Sequence, residues 1–248
     1  MPSVVTIIGG HGKIALLLAS RLANASKKTY SVIRTQDHAQ DITNVSATPV
    51  VLSLEDDPAS KFTDLFEQNH SDVVVFSAGA GGKGGPERTK KVDYEGALKI
   101  FDAIEAVKGP KPSLILVSAI DSRDSTVTPE HYSPKDMEIS KSIHEGSLKN
   151  YYHWKYEADK NLVNRTGFPW TILAPGLLLD DAAQGTARIG KTGLEGGKIT
   201  REDVAIALAE LVDQPKAAGL VLNIISGTTP IKEAVEAAIE NRETAWVG

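Results

Sequence analysis

Short apolar runs rich in β-branched residues alternate along the chain with longer stretches whose apolar residues recur every three or four positions. Val4, Val5, Ile7 and Ile8 form the first run, of the kind found in strands buried on both faces. From Ile14 the spacing turns helical, through Leu17, Leu18 and Leu22. The same reading predicts strands over 4–8, 29–33, 49–54, 73–77, 113–118, 169–174 and 219–225. It predicts helices over 12–24, 58–69, 87–107, 147–166, 201–213 and 230–240. This alternation implies an α/β fold, a doubly wound, mostly parallel sheet with helices on both faces. Thr200-x-x-Asp203 reads as a capping box, and Thr229 before Pro230 as an N-cap with proline in the first turn.

Between the first strand and the first helix the chain reads TIIGGHGKIA. Gly10, Gly12 and Ala15 fit G-x-G-x-x-G/A, the turn that lets a backbone approach a dinucleotide pyrophosphate held at a helix N-terminus. Gly9, Gly12 and Ala15 fit a G-x-x-G-x-x-A spacing equally well, so the glycine of closest approach is open. Gly9, Gly12, Lys13 and Ile14 are the cofactor-binding candidates here, Lys13 reading either as a phosphate contact or as a solvated side chain. Arg34 follows the second strand, where an acid would suit the ribose 2′-OH of NAD and an arginine suits the 2′-phosphate of NADP. NADP(H) is therefore the expected cofactor, ahead of NAD. After the fourth strand, SAGAGGKGGP lacks the spacing of a P-loop; Ala78 and Gly79 leave room for a cofactor, and Gly81 to Gly85 read as a flexible loop.

Composition narrows the field. No linker, repeat or low-complexity tract divides the 248 residues, so a single NAD(P)-binding domain over 1–248 is expected. The formal net charge of −5 and the lack of a basic stripe argue against a nucleic-acid partner. There is no cysteine, which removes thiolate chemistry and disulfides. No apolar run reaches membrane-spanning length and no signal-peptide pattern is visible, so the expected setting is cytoplasmic, without a membrane partner. The histidines lack metal-ligand spacing; His11, His131, His144 and His153 read as loop or surface residues, and no metal is expected. Residues 119–148 and 177–198 read as substrate-loop segments, the first containing a short helix.

The helix predicted from 147 carries Tyr151 and Lys155, four positions apart and hence on one face. A cation beside a phenol favours the phenolate, so the tyrosine pKa is expected to move down toward neutrality, where it can exchange a proton with a carbonyl oxygen. The same spacing at Tyr156 and Lys160 is a reminder that a surface contact produces it too.

Taken in order, the GGHGKIA turn, Arg34, SAGA at 77–80, VDYEGALKIFDA at 92–103, Tyr151-x-x-x-Lys155, WTILAPG at 170–176 and ITREDVA at 199–205 resemble the short-chain dehydrogenase/reductase superfamily. More narrowly the chain resembles its atypical NAD(P)-binding branch, similar to NmrA-like proteins and biliverdin reductase B-like flavin reductases. The resemblance implies a Rossmann-type fold in which Tyr151 protonates substrate and Lys155 binds the nicotinamide ribose and stabilises the phenolate. It implies that Ala78 and Gly79 face the cofactor, that Leu54 lies by the adenine, and that Pro175, Gly176 and Leu177 pass near the nicotinamide. Ser118 or Ser122 would be the third catalytic residue. Ser53, Ala174 and Trp154 depart from the family's usual Asp, Arg and small residue, so the substrate surroundings are not inherited. Three functions follow as alternatives: an NADPH-dependent reductase of small carbonyl, quinone-like or flavin acceptors; a non-catalytic NADP(H) sensor; and an epimerase or dehydratase that recycles its cofactor. The partner expected is a small-molecule substrate, with homo-oligomerisation left open.

Overall fold

A computed structural model describes residues 4–81 and 85–247. Its nine-stranded sheet is ordered β11-β8-β10-β6-β5-β4-β1-β2-β3. Seven strands run parallel: β1 (Val4–Ile8), β2 (Lys28–Ile33), β3 (Thr48–Val51), β4 (Val73–Phe76), β5 (Ser113–Val117), β6 (Trp170–Pro175) and β10 (Val221–Ser226). At one edge β8 (Thr186–Gly190) and β11 (Thr229–Pro230) add antiparallel pairs. The predicted α/β doubly wound architecture of Rossmann type is the one observed.

Period-two side-chain alternation builds both faces of the sheet. Val5, Ile7, Val73 and Val75 point toward one layer, with α1 (Lys13–Asn24), α8 (Arg201–Val212) and α9 (Ile231–Glu240). Ile8, Val74 and Phe76 point toward the other, with α3 (Ala59–Asn69), α5 (Gly96–Ala106) and α7 (Lys149–Val163). Phe62, Phe66 and Phe101 are fully buried there, each contributing about 1.5–3 kcal/mol through burial.

Several expectations need correction. The third strand stops at Val51 rather than at 54, because Ser53 starts a turn in which its N–H donates to Asp57 and its hydroxyl to Asp56. The helix expected over 87–107 is three pieces: α4 (Gly85–Thr89), a π-helical turn (Lys90–Glu95) and α5. Of the glycine loop expected at 81–85, residues 82–84 lie outside the described residues. Thr229 is no cap, since it pairs with Ala187 in β11 and α9 begins beyond Pro230 without a side-chain cap. Thr200 does accept the Asp203 N–H, but the Asp203 carboxylate turns to the N–H groups of Gln184 and Gly185, so the box is half made.

Nor are the two substrate segments plain loops. The first contains α6 (Pro134–Glu145), started by a full capping box between Ser133 and Asp136. The second contains β8 and a small two-stranded sheet, β7 (Leu177–Leu179) with β9 (Lys198–Thr200). Asp136 joins the segments: Oδ2 accepts the Ser133 N–H and hydroxyl, while Oδ1 accepts the N–H groups of Leu194 (2.6 Å) and Glu195 (2.9 Å). Burial pushes its pKa up, but these donors outweigh it and hold the carboxyl below its ordinary value. His131 adds a second tie, its Nε2 3.1 Å from the Thr192 carbonyl oxygen. His144 is half-buried, its Nε2 3.1 Å from Asp121 Oδ2, so neither histidine is a free surface residue.

Asp136→Ala is expected to destabilise the protein by about 2–4 kcal/mol, since backbone donors lose a charged acceptor. Amide hydrogen exchange should rise together at 134–145 and 190–197. Faster exchange in the first segment alone would show that Asp136 does not couple them.

Candidate active site

The turn after β1 is shaped by close backbone approaches. Gly9 has φ +82°, and a Cβ there would sit 2.6 Å from Ala78 Cα, against the end of β4. A Cβ on Gly10 would meet Ser31 Cβ at 2.6 Å, and the Gly10 N–H donates to Val32 O across to β2. Gly12 is the N-cap of α1 and supplies no side-chain acceptor. The first-turn N–H groups therefore face outward without intrahelical partners, as an anion cradle requires. Both glycine spacings are thus used: Gly9 and Gly10 let the turn lie on the sheet, and Gly12 opens the helix.

A cavity of about 410 Å³ extends from this turn across the carboxyl ends of β1, β2 and β4, where doubly wound sheets bind ligands. Gly9, Gly12, Arg34, Leu54, Ala78 and Gly79 line it, bringing together six of the candidates. Its position over the strand ends, its partly apolar lining and the free N–H groups at the start of α1 fit a dinucleotide. Lys13 lies outside it, paired with Asp180 at 2.8 Å. Ile14 packs its side chain in the core and offers the site only its backbone. Pro175 and Gly176 continue β6, and Gly176 is required where its backbone meets the Gly197 carbonyl. Leu177 is 63% exposed, and none of these three lines the cavity.

The reactive candidates lie where β5, the π-helical turn and α7 meet. Lys155 is only 4% exposed; its Nζ donates to Val117 O at 3.0 Å and stands 3.6 Å from Asp93 Oδ1. Asp93 comes from the π-helical turn, and its other oxygen accepts the Ala80 N–H at 2.9 Å. Lys155 Nζ lies 5.9 Å from the centroid of the Tyr151 ring. Burial lowers the lysine's pKa, yet Tyr151, Asp93 and Asp159 together raise it, so the ammonium persists. Tyr151 runs against expectation: burial raises the phenol above its ordinary value, and the opposing Lys155 charge does not reverse the shift. Trp154, half-buried, stacks on Tyr94 at 5.4 Å with Lys90 5.3 Å from its ring, so it packs on the π-helical turn.

Ser118 has its hydroxyl committed, donating to Asp159 Oδ2 at 2.5 Å. Ser122 Oγ is buried and meets no hydrogen-bond partner, although it is near enough to oppose the Asp159 shift. Asp159 is 1% exposed, with Oδ1 unpartnered, and burial raises its pKa to about 6 against the Ser118 and Ser122 hydroxyls and Lys155. Sequence reasoning missed both Asp93 and Asp159. Asp159 stands four positions beyond Lys155 and eight beyond Tyr151, a helical spacing that places all three on one side. Asp93 had no such signal, because its orientation depends on the π-helical turn.

A family model described as NAD(P)H-binding matches residues 9–215, which contain this turn, the cavity and the Tyr-Lys pair. The chain belongs to that family. Among family relatives, UPF0659 protein C216.03 of Schizosaccharomyces pombe is 38% identical over 246 residues, covering 98% of each chain. The uncharacterized sugar epimerase YhfK of Bacillus subtilis is 29% identical, over 94% of this chain and 98% of its own. The solved oxidoreductase ylbE of Lactococcus lactis superposes with a TM-score of 0.76 at 26% identity, covering 96% of this chain and 97% of that one. Among the described residues no helix is long and apolar enough to cross a membrane, and no group of acidic or histidine side chains is arranged to hold a metal.

The buried Asp159 has a signature in stability. Its pKa is about 6 in the fold against 3.8 unfolded, so the native state holds the proton more tightly and loses stability as pH rises from about 4 through 6. Relative to Asp159→Asn, the wild type should lose on the order of 2–3 kcal/mol between pH 4 and 7 in denaturant unfolding. Parallel pH curves for the two proteins would show that Asp159 ionises as freely as in the unfolded chain.

Proposed function

We propose that this protein is an NADPH-dependent oxidoreductase that reduces a small carbonyl, quinone-like or flavin acceptor. The observation that carries the reading is the buried Lys155 ammonium, fixed by Val117 O and Asp93 beneath the Tyr151 ring. When bound, the nicotinamide supplies the hydride. Tyr151 then donates its phenolic proton to the oxygen that gains negative charge, and Lys155 stabilises the phenolate left behind. Solvent restores the proton. Because burial holds Tyr151 above 10, the residue is a protonated acid throughout the neutral range, which suits reduction. Arg34 on the cavity wall supports NADPH over NADH.

The name of the Bacillus subtilis relative favours a second reading, an epimerase that removes and returns hydride at one sugar carbon. The two differ in cofactor balance. A reductase consumes NADPH in step with product, whereas an epimerase converts substrate with no net change in reduced nicotinamide.

The test is NADPH oxidation across a panel of carbonyls, quinones and free flavins, with nucleotide sugars assayed for isomerisation. Tyr151→Phe should lower turnover by about 10²–10⁴-fold while cofactor affinity stays within about twofold. Reductive turnover should show no loss from Tyr151 ionisation below pH 10. Unchanged turnover in the variant would remove Tyr151 from the mechanism, and isomerisation without NADPH consumption would replace the reductase by the epimerase.

A further inference from the structure

At the end of the cavity lined by Arg34 and Leu54, Glu55 stands among three cations. Its Oε1 lies 3.2 Å from Arg34 Nη1 and 3.8 Å from Arg88 Nη2, and its Oε2 lies 3.8 Å from Lys91 Nζ. Arg34, Glu55 and Arg88 all line the cavity. Three cations against one carboxylate leave a local excess of two positive charges. Of the neighbouring acids, Asp57 accepts the Ser53 N–H and has Lys61 at 2.6 Å as its own counter-charge, while Asp56 keeps its charge and is turned to the Ser53 hydroxyl. The backbone on both sides of Glu55 is fixed, because Lys99 Nζ donates to Leu54 O (2.5 Å) and Asp57 O (2.6 Å). The Glu55 side chain is 20% exposed, so leaving its cations needs only a change of side-chain rotamer.

We infer that Glu55 selects between the two nicotinamide cofactors: its carboxylate occupies the cationic site that a 2′-phosphate takes by displacing it, with Arg88 joining Arg34 as phosphate ligand. This rests on the reading of the cavity as an NAD(P)H site. The physical basis is competition for the same charges. A 2′-phosphate carries up to two negative charges and can engage both guanidinium groups, whereas Glu55 holds each at one contact, with two of its three partners at 3.8 Å. The ribose 2′-OH of NADH, a neutral donor, has the opposite relation to Glu55 and can give it a hydrogen bond. One carboxylate thus weakens the phosphorylated cofactor and assists the other. In a dinucleotide fold the selecting acid is sought after the second strand; here it arrives from the end of the third.

The test is equilibrium titration of NADPH, NADH, adenosine 2′,5′-bisphosphate and 5′-AMP into the wild type, Glu55→Gln and Arg88→Gln. Glu55→Gln should tighten NADPH and the bisphosphate by about five- to tenfold, and leave NADH and AMP unchanged or weaker. Arg88→Gln should weaken the two 2′-phosphorylated ligands by about tenfold and spare the others. Equal tightening of all four ligands in Glu55→Gln, or no change, would overturn the inference while leaving the cofactor reading intact. Failure of both NADPH and NADH to bind the wild type would remove the reading and the inference together.

Discussion

A buried ammonium organises the candidate site. Lys155 has almost no contact with water, and a charge so placed is tolerated only where other groups replace its hydration. Val117 O at the end of β5 and Asp93 on the π-helical turn do this. Each partner is itself committed, Val117 to the sheet and Asp93 to the Ala80 N–H in the segment that follows β4. The lysine therefore ties together three pieces of chain that are far apart in sequence. Tyr151, one helical turn earlier, inherits its position from that arrangement.

Two buried aspartates show how local supply of donors decides a carboxylate's state. Asp136 receives three backbone N–H groups and a hydroxyl, which overcome burial and keep it ionised. Asp159 receives one hydroxyl and has an oxygen with no partner, so burial prevails. The first has a structural use as an acceptor joining two segments. The second takes the Ser118 hydroxyl proton, so that serine has no proton free for another acceptor while the bond holds.

The parallel sheet and its ligand-binding edge were legible because each rests on a local pattern. Val4 to Ile8 carry the β-branched run of a strand buried on both faces, and Gly9 to Gly12 followed by Ile14 and Leu17 carry the pattern of a tight turn into a helix. Tyr151 and Lys155 were legible for the same reason, as a helical spacing. The direction of the Tyr151 shift was not, since burial is a property of what packs around the ring and spacing reports only the neighbour on the same helix. The β8, β7 and β9 strands were missed because they are three to five residues long and set among glycines and polar residues, where pairing partners rather than composition decide the conformation. Glu55 escaped notice because its cations come from three different elements.

The interruption between α4 and α5 gives chain length in this region a chemical meaning. An α-helix turns by roughly 100° per residue, so deleting Tyr94 or Glu95 from the Lys90–Glu95 turn to restore regular winding would move Asp93 one position toward α5 and swing it by about that amount around the axis. The Asp93 carboxylate would then be carried out of reach of the Lys155 ammonium with no side chain changed. Helical phase at this point is as much a part of the site as the identity of the residues.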